Sequence, residues 1–314
     1  MAITRESGLV TVAGIRTGGN RPPRYLFHEH EPIFTLASNA ADEGSLRRLE
    51  AARRSRRPVR VTLDEKAGVI QAVLDASPAE ADEFARARPL MKGPSRIARL
   101  DLRRIDPTTF NLAETVLKWP AFRKCHDIIP TYKKARDIFD FCAGLSCHLL
   151  GPPTVSPCIP FQYVIDGCYA RAHQMRRIIT GRFRYCCEKV FSFATDNDDT
   201  LAVKADKWGG CCVEWWYHVA PLVRVRVKVP GLPKKFTIAL AMVIDPGMFD
   251  KPVLLSTWLA AQENLSCNAN AHLTSYSIQP GSAYTPYYGG GFTTDPSYTA
   301  TESTLIAYSG LTTC

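Results

Sequence analysis

The stretch Asp166-Gly167-Cys168-Tyr169-Ala170-Arg171-Ala172-His173-Gln174-Met175-Arg176 decides how this chain is read, because it sets a cysteine where a glycine turn gives way to a helix. Ala172, Met175 and Ile179 recur at i, i+3 and i+7 on one face, and Gly181 just after the last turn is a stop signal, so a helix is expected here with Cys168 in its first turn. A thiol in the first turn meets unpaired backbone N–H groups and the positive end of the helix dipole. Both favour thiolate and lower the pKa from about 8.5 toward the physiological range. Cys168 is therefore the candidate nucleophile.

A thiol nucleophile needs a base, and seven histidines are available. His173 lies five positions along the same helix, roughly 140° away around its axis, and is an unsuitable partner. His218 is better placed. It sits in Val213-Glu214-Trp215-Trp216-Tyr217-His218-Val219-Ala220, followed by Leu222-Val223-Arg224-Val225-Arg226-Val227, and this aromatic and β-branched run reads as β structure that can hold an imidazole rigidly. A second apolar run from Phe236 to Ile244 ends at Asp245-Pro246-Gly247, which leaves a carboxylate where a strand meets a turn. Asp245 can then orient His218. Strand alternation puts Trp216 on the face of His218, a candidate wall for a substrate channel that fits core packing as well. Asp166, two residues before the nucleophile, is a further candidate substrate contact.

Nucleophile on a helix, base on one strand and acid on the neighbouring strand is the order used by papain-like and transglutaminase-like cysteine enzymes. The acid fixes the imidazole tautomer and the imidazole takes the thiol proton. Gln162, six residues before Cys168, stands where papain-like enzymes place a glutamine that helps hold the oxyanion, and fits an ordinary strand residue equally well.

At these residues the chain resembles the bacterial protein glutaminases, which deamidate glutamine side chains in proteins. The resemblance is carried by Asp166 through His173 with Met175-Arg176, by Cys187-Glu188-Lys189, by Cys211-Cys212-Val213 through Tyr217-His218-Val219-Ala220, by Ile244-Asp245-Pro246 and by Asn264-Leu265-Ser266-Cys267, in the family's order and with similar gaps over residues 125–270. It implies an α+β fold with a transglutaminase/papain-like catalytic core, in which an N-terminal helix carries the cysteine and an antiparallel sheet carries histidine and aspartate. A small α/β pro-domain would precede this core and lie over the active-site cleft. By resemblance the triad maps onto Cys168, His218 and Asp245, the substrate is glutamine in a protein or peptide, an activating protease is a partner, and no cofactor is needed. Gln262 replaces an expected cysteine, the tail holds only Cys314, and the first 25 residues and residues 111–123 find no counterpart. Substrate contacts from Tyr284, Tyr287 and Tyr288 are therefore not carried over.

Local signals agree with a folded N-terminal module. Ser77-Pro78-Ala79-Glu80 is a capping box with Pro at the first helical position, Val59–Leu63 and Val69–Leu74 read as two strands, and Ser45–Arg56 as an amphipathic helix. The expected partition is a pro-region-like domain over 1–95, a linker over 96–130 with processing sites and a short helix between Phe110 and Trp119, and a catalytic domain over 131–314. The net charge of +9 lies mostly in residues 1–130. Arg53-Arg54-Ser55-Arg56-Arg57 is read as a solvated helix end whose cations complement the dipole, because no aromatic interleaving, zinc-finger spacing or phosphate loop points to nucleic acid.

Eleven cysteines, ten without Cys168, suit a disulfide framework. Cys147 is expected to pair with Cys158 across a Gly-Pro-Pro loop, as similar cysteines do around the matching loop of the family, and a bridge is expected between the region of Cys186 and Cys187 and that of Cys211 and Cys212. Adjacent cysteines cannot present C-x-x-C geometry, so no metal site is expected. This usage favours a secreted or periplasmic destination, and a monomer is expected. Met1–Gly14 carries no export signal, which favours the cytoplasmic alternative, and no run of 18 or more apolar residues suggests a membrane span. Competing readings keep the triad with another acceptor or amide (a transglutaminase, a peptidase, a biosynthetic amide hydrolase or a deamidating toxin), or make the chain a disulfide-rich binding module with Cys168 bridged.

Overall fold

The structure, a computed structural model, describes residues 5–17, 22–91, 100–101, 125–150, 157–196, 198–228 and 237–314. Two six-stranded sheets organise them. The first takes strands β1 (Arg5–Val10), β2 (Val12–Arg16), β3 (Arg24–Phe27), β4 (Phe34–Leu36), β5 (Val59–Asp64) and β6 (Val69–Asp75) in the order β1-β5-β6-β4-β3-β2. Val59, Val61 and Leu63 alternate inward along β5, as the period of a half-buried strand requires. They meet Leu49 and Ala52 from helix α1 (Glu43–Ser55), together with Val12, Phe27, Phe34, Ile70 and Val73. Asp42 caps α1, and α2 (Pro78–Ala87) opens on the capping box read from the sequence, with both reciprocal bonds formed.

The second sheet runs β13-β12-β11-β8-β14-β7, from β7 (Leu100–Asp101), β8 (Glu188–Phe193), β11 (Tyr217–Lys228), β12 (Thr237–Val243), β13 (Val253–Leu254) and β14 (Ser275–Gln279), every pair antiparallel. All six residues of β8 are buried, so this sheet is covered on both faces. Helices α3 (Tyr132–Ala143) and α5 (Cys168–Gly181) bury Ile138, Phe139, Ala172, Met175 and Ile179 against one side, and the short helix α4 (Cys147–Leu150) follows α3 in the chain. The other side takes Trp215, Leu255 and Trp258, the last two from α6 (Leu255–Ala260), and Tyr308 from α7 (Thr299–Tyr308). The α+β architecture expected from the sequence is the one observed. Among the described residues no helix is long and apolar enough to cross a membrane. The helix expected within Phe110–Trp119 lies outside the described residues.

Two expectations are corrected. The run Val213–Ala220 is not one strand. β10 (Cys212–Trp215) pairs with β9 (Leu201–Lys204) in a separate ribbon, and the chain changes sheets at Trp216, whose backbone N–H leaves the ladder to bond the Glu31 carbonyl. The disulfides are Cys125–Cys186, Cys147–Cys158, Cys211–Cys314 and Cys212–Cys267. Cys147–Cys158 is as expected. No bridge joins Cys186 or Cys187 to Cys211 or Cys212: Cys186 is taken by Cys125, Cys211 by Cys314 and Cys212 by Cys267, and Cys187 is a free thiol buried in the core.

Candidate active site

Gly167 ends the approach to α5 at φ +85°, a left-handed conformation open to glycine, and an added Cβ there would lie 2.7 Å from the Tyr308 ring. This turn aims the backbone N–H of Cys168 into a buried chamber. Register in the sheet places His218 opposite Ser192, and Asp245 follows the end of β12, the neighbour of β11. His218 Nε2 donates to Asp245 Oδ2 at 3.0 Å, and Trp258 Nε1 donates to the same oxygen at 2.9 Å. The imidazole lies between two indoles, Trp215 at 4.5 Å and nearly parallel and Trp258 at 5.4 Å. Its plane is thereby fixed, with Nδ1 turned toward Cys168.

The structure brings Cys168, His218 and Asp245 into one constellation and adds a member absent from the sequence reading. Glu31, on the loop between β3 and β4, enters the chamber. One of its carboxylate oxygens accepts the Cys168 backbone N–H and the other accepts from His218 Nδ1 at 3.0 Å. The Cys168 thiol, the His218 ring and the Glu31 carboxylate present atoms within 4.8 Å of one another. Such a trio has the donor types of a metal site, but Glu31 and His218 already satisfy each other by a direct hydrogen bond.

Electrostatics in this chamber reverse the expectation of a low thiol pKa. Burial, and then the Glu31 carboxylate, push the Cys168 thiol well above its ordinary value. His218 moves the other way on balance. Burial opposes its charge, yet the hydrogen bonds and charges of Asp245 and Glu31 outweigh that and raise its pKa. Burial likewise holds the Glu31 carboxyl above the usual range against the attraction of His218, whereas Asp245 stays below it because His218 and Trp258 overcome its burial. These shifts lean the Cys168 thiol toward its protonated form and His218 toward its charged form. Arg171, three residues beyond Cys168 and buried, donates to the carbonyls of Tyr163 and Asp166 at 2.6 Å and sets a fixed positive charge beneath the site.

The other sequence candidates divide. Asp166 is fully buried and grips the same loop: Oδ1 accepts the Glu31 backbone N–H at 3.1 Å, and Oδ2 accepts from His30 Nδ1 at 2.5 Å and from Tyr308 at 2.9 Å. Trp216 does not share the face of His218, because the strand breaks there and Trp215 takes that position. Its indole N–H instead donates to the carbonyls of Phe27 and His30. Gln162 turns away from Cys168, its amide donating to the Ser309 carbonyl at 2.9 Å, so it ties the C-terminal segment rather than facing the thiol. The residues that sequence reasoning missed, Glu31 and His30 with Glu65 bonded to Tyr163 and Tyr308, belong to Phe27-His28-Glu29-His30-Glu31 and its neighbour loop. A run of alternating His and Glu between two apolar strands was the available signal.

A family model described as Glutaminase matches residues 135–262. A search of curated proteins returned no match. Among solved structures, a crystal structure of pro-protein-glutaminase is 26% identical, with 98% of this chain and 94% of that chain covered at a TM-score of 0.70. A mutant of pro-protein-glutaminase aligns at 26% identity over 99% and 95% with a TM-score of 0.71. A crystal structure of protein-glutaminase is 32% identical over 60% of this chain and 92% of that one, with a TM-score of 0.51. Similar to the enzyme over nearly all of the enzyme's length, and to the pro-form over nearly all of its own, the chain belongs to the protein-glutaminase family as a precursor.

Proposed function

We propose that the chain is the latent form of a hydrolase that converts glutamine side chains in proteins or peptides to glutamate and ammonia, with Cys168 as nucleophile, His218 as acid and base, and Asp245 as the group that orients His218. The observation that carries this reading is the seat of Glu31. A glutamate carboxylate, the head group of the reaction product, sits on the Cys168 N–H and on His218 Nδ1. A glutamine amide entering the same seat would set its carbonyl oxygen on that N–H and its nitrogen toward the imidazole.

The chemistry follows from those positions. His218 Nδ1 takes the thiol proton and the thiolate adds to the amide carbon, while the oxyanion is held by the Cys168 N–H. The imidazolium returns the proton to the amide nitrogen and ammonia leaves a thioester. Nδ1 then takes a proton from water, hydroxide adds to the thioester carbon, and collapse expels the thiolate and frees glutamate. Asp245 keeps the second ring nitrogen protonated throughout. Latency is electrostatic as well as steric, because Glu31 blocks the seat and raises the thiol pKa.

In this reading residues 1–95 are the inhibitory region, 96–130 the stretch cut by an activating protease, and 131–314 the catalytic domain, acting as a monomer. Four disulfides favour work in a secreted or periplasmic setting. The test is ammonia release from a glutamine-rich protein before and after limited proteolysis, with Cys168→Ala beside it. Ammonia should appear on cutting and only in wild type; equal release from the Ala variant would reject the assignment.

A further inference from the structure

The loop Phe27–Glu31 fills two places on the catalytic core, and the chamber of Glu31 is only one of them. Three residues earlier, His28 is buried with its ring 4.5 Å from Tyr288 edge-on, 5.3 Å from Tyr287 and 6.2 Å from Trp216. These rings and His28 itself, with Phe193, Phe292, Ser277 and Gln279, line a cavity of about 400 Å³ that opens beside the imidazole. Burial lowers the His28 pKa to about 4, against the pull of Glu29 and the Pro286 carbonyl, so the ring enters uncharged. The loop between the two places is held by its backbone. Trp216 Nε1 donates to the carbonyls of Phe27 and His30 at 3.1 and 2.8 Å, the Trp216 N–H bonds the Glu31 carbonyl at 3.0 Å, and Asp166 accepts the Glu31 N–H. A turn closed from His30 N–H to the Phe27 carbonyl lets the side chains at 28 and 31 enter together.

Main-chain contacts of this kind accept any sequence, so discrimination falls to the side chains at positions 28 and 31. We infer that the cavity lined by Trp216, Tyr287, Tyr288, Phe193 and Phe292 is a substrate subsite that selects an uncharged ring three residues before the glutamine to be hydrolysed, in a segment that turns just ahead of it. The inference rests on the proposed hydrolysis of glutamine and names its preferred sequence context. A phenyl or neutral imidazole gains an edge-to-face contact with Tyr288 and a tilted one with Tyr287, and shields these ring faces from water. A charged side chain there would lose its hydration among aromatic rings, and glycine would forgo the ring contacts.

The test uses peptides spanning residues 24–34 with Glu31→Gln, carrying His28 unchanged, His28→Phe or His28→Gly, offered to the full chain after limited proteolysis. The Phe and His peptides should exceed the Gly peptide in kcat/KM by about tenfold, the scale of a small group in a fitted pocket. Tyr288→Ala should collapse that ratio toward one. Equal kcat/KM for the three peptides, or a Tyr288→Ala loss that falls alike on all, would overturn the subsite. Release of ammonia from none of them would instead sink the glutamine reading, and a second measurement then decides the subsite alone. In the uncut full chain, His28→Gly should speed alkylation of Cys168 by iodoacetamide about tenfold over wild type and His28→Phe should not; equal rates in all three chains would reject it.

Discussion

Replacing Glu31 by Gln turns the plug into a substrate. The side chain keeps its shape, so the carbonyl oxygen can stay on the Cys168 N–H while an amide nitrogen replaces the oxygen that faced His218 Nδ1. What changes is charge. Thiol and carboxylate lie within 4.8 Å. At an effective dielectric of about 20, a unit charge that close acts on the thiolate with roughly 3–4 kcal/mol. Removing it favours the thiolate by several hundredfold, roughly 2–3 decades at about 1.4 kcal/mol each. Nucleophile, amide carbon and acid are then held together in one chain, with no encounter to wait for. The uncut Glu31→Gln chain should therefore deamidate itself once and stop, because its product is the wild-type latent form. Intact mass spectrometry should record a gain of about 1 Da with one ammonia per chain, or a loss of about 17 Da where water is excluded and the thioester persists. A Glu31→Gln, Cys168→Ala double variant should show neither. An amide at position 31 that survives for days in a folded chain with a reactive Cys168 would refute the assignment of this chamber.

Asp245→Asn should lower kcat of the cut enzyme by about 10³- to 10⁴-fold with KM within about twofold, since the wrong imidazole tautomer is held in an unchanged seat; a loss under about tenfold on steady-state kinetics would remove Asp245 from the triad. Gly167→Ala forces a left-handed alanine against the Tyr308 ring and should cost about 2 kcal/mol or more, seen as a Tm lower by a few degrees on calorimetry. The hold of the cut pro-region should weaken with rising pH. His30 is raised on balance, because the charge and hydrogen bond of Asp166 outweigh its burial, and Glu31 is raised chiefly by burial. A raised pKa in the bound state gives stability that is complete below the free value and lost as pH climbs through the bound one. The window therefore opens above the ordinary Glu value of about 4.5 and continues past the ordinary His value of about 6.5. Gel filtration of the nicked chain should show at least about tenfold weaker association at pH 9 than at pH 6, and tighter association at pH 9 would contradict this sign.

What the sequence disclosed and what it withheld separate along physical lines. Cys168, His218 and Asp245 stand out because each is announced locally: a glycine turn into an amphipathic helix, a β-branched strand, and a strand-to-turn junction. The capping box at Ser77 and the near pair Cys147–Cys158 are local in the same sense. Trp216 was assigned to the wrong face because alternation assumes an unbroken strand, and a backbone bond to Glu31 breaks it. Cys187 stays a free thiol where a bridge is expected, because the spacing of cysteines says nothing of distant partners such as Cys267 and Cys314, which take Cys212 and Cys211. Glu31 and His28 were invisible because their partners lie more than a hundred residues away: Asp166, Trp216 and His218 meet them only through the docking of two separately built sheets. The low thiol pKa expected at the start of α5 was a statement about a helix end in water. Placed in a sealed chamber beside a carboxylate, the same thiol moves the opposite way.

The two indoles that enclose His218 make its protonation visible. Trp215 stacks within 8° of the imidazole plane and Trp258 within 24°, and a cationic imidazole in such contact is both favoured by the ring faces and an efficient quencher of indole emission. Departure of the Glu31 carboxylate removes one of the two groups that favour the charged ring, so the onset of activity should announce itself as a brightening of intrinsic fluorescence, readable in real time without any label.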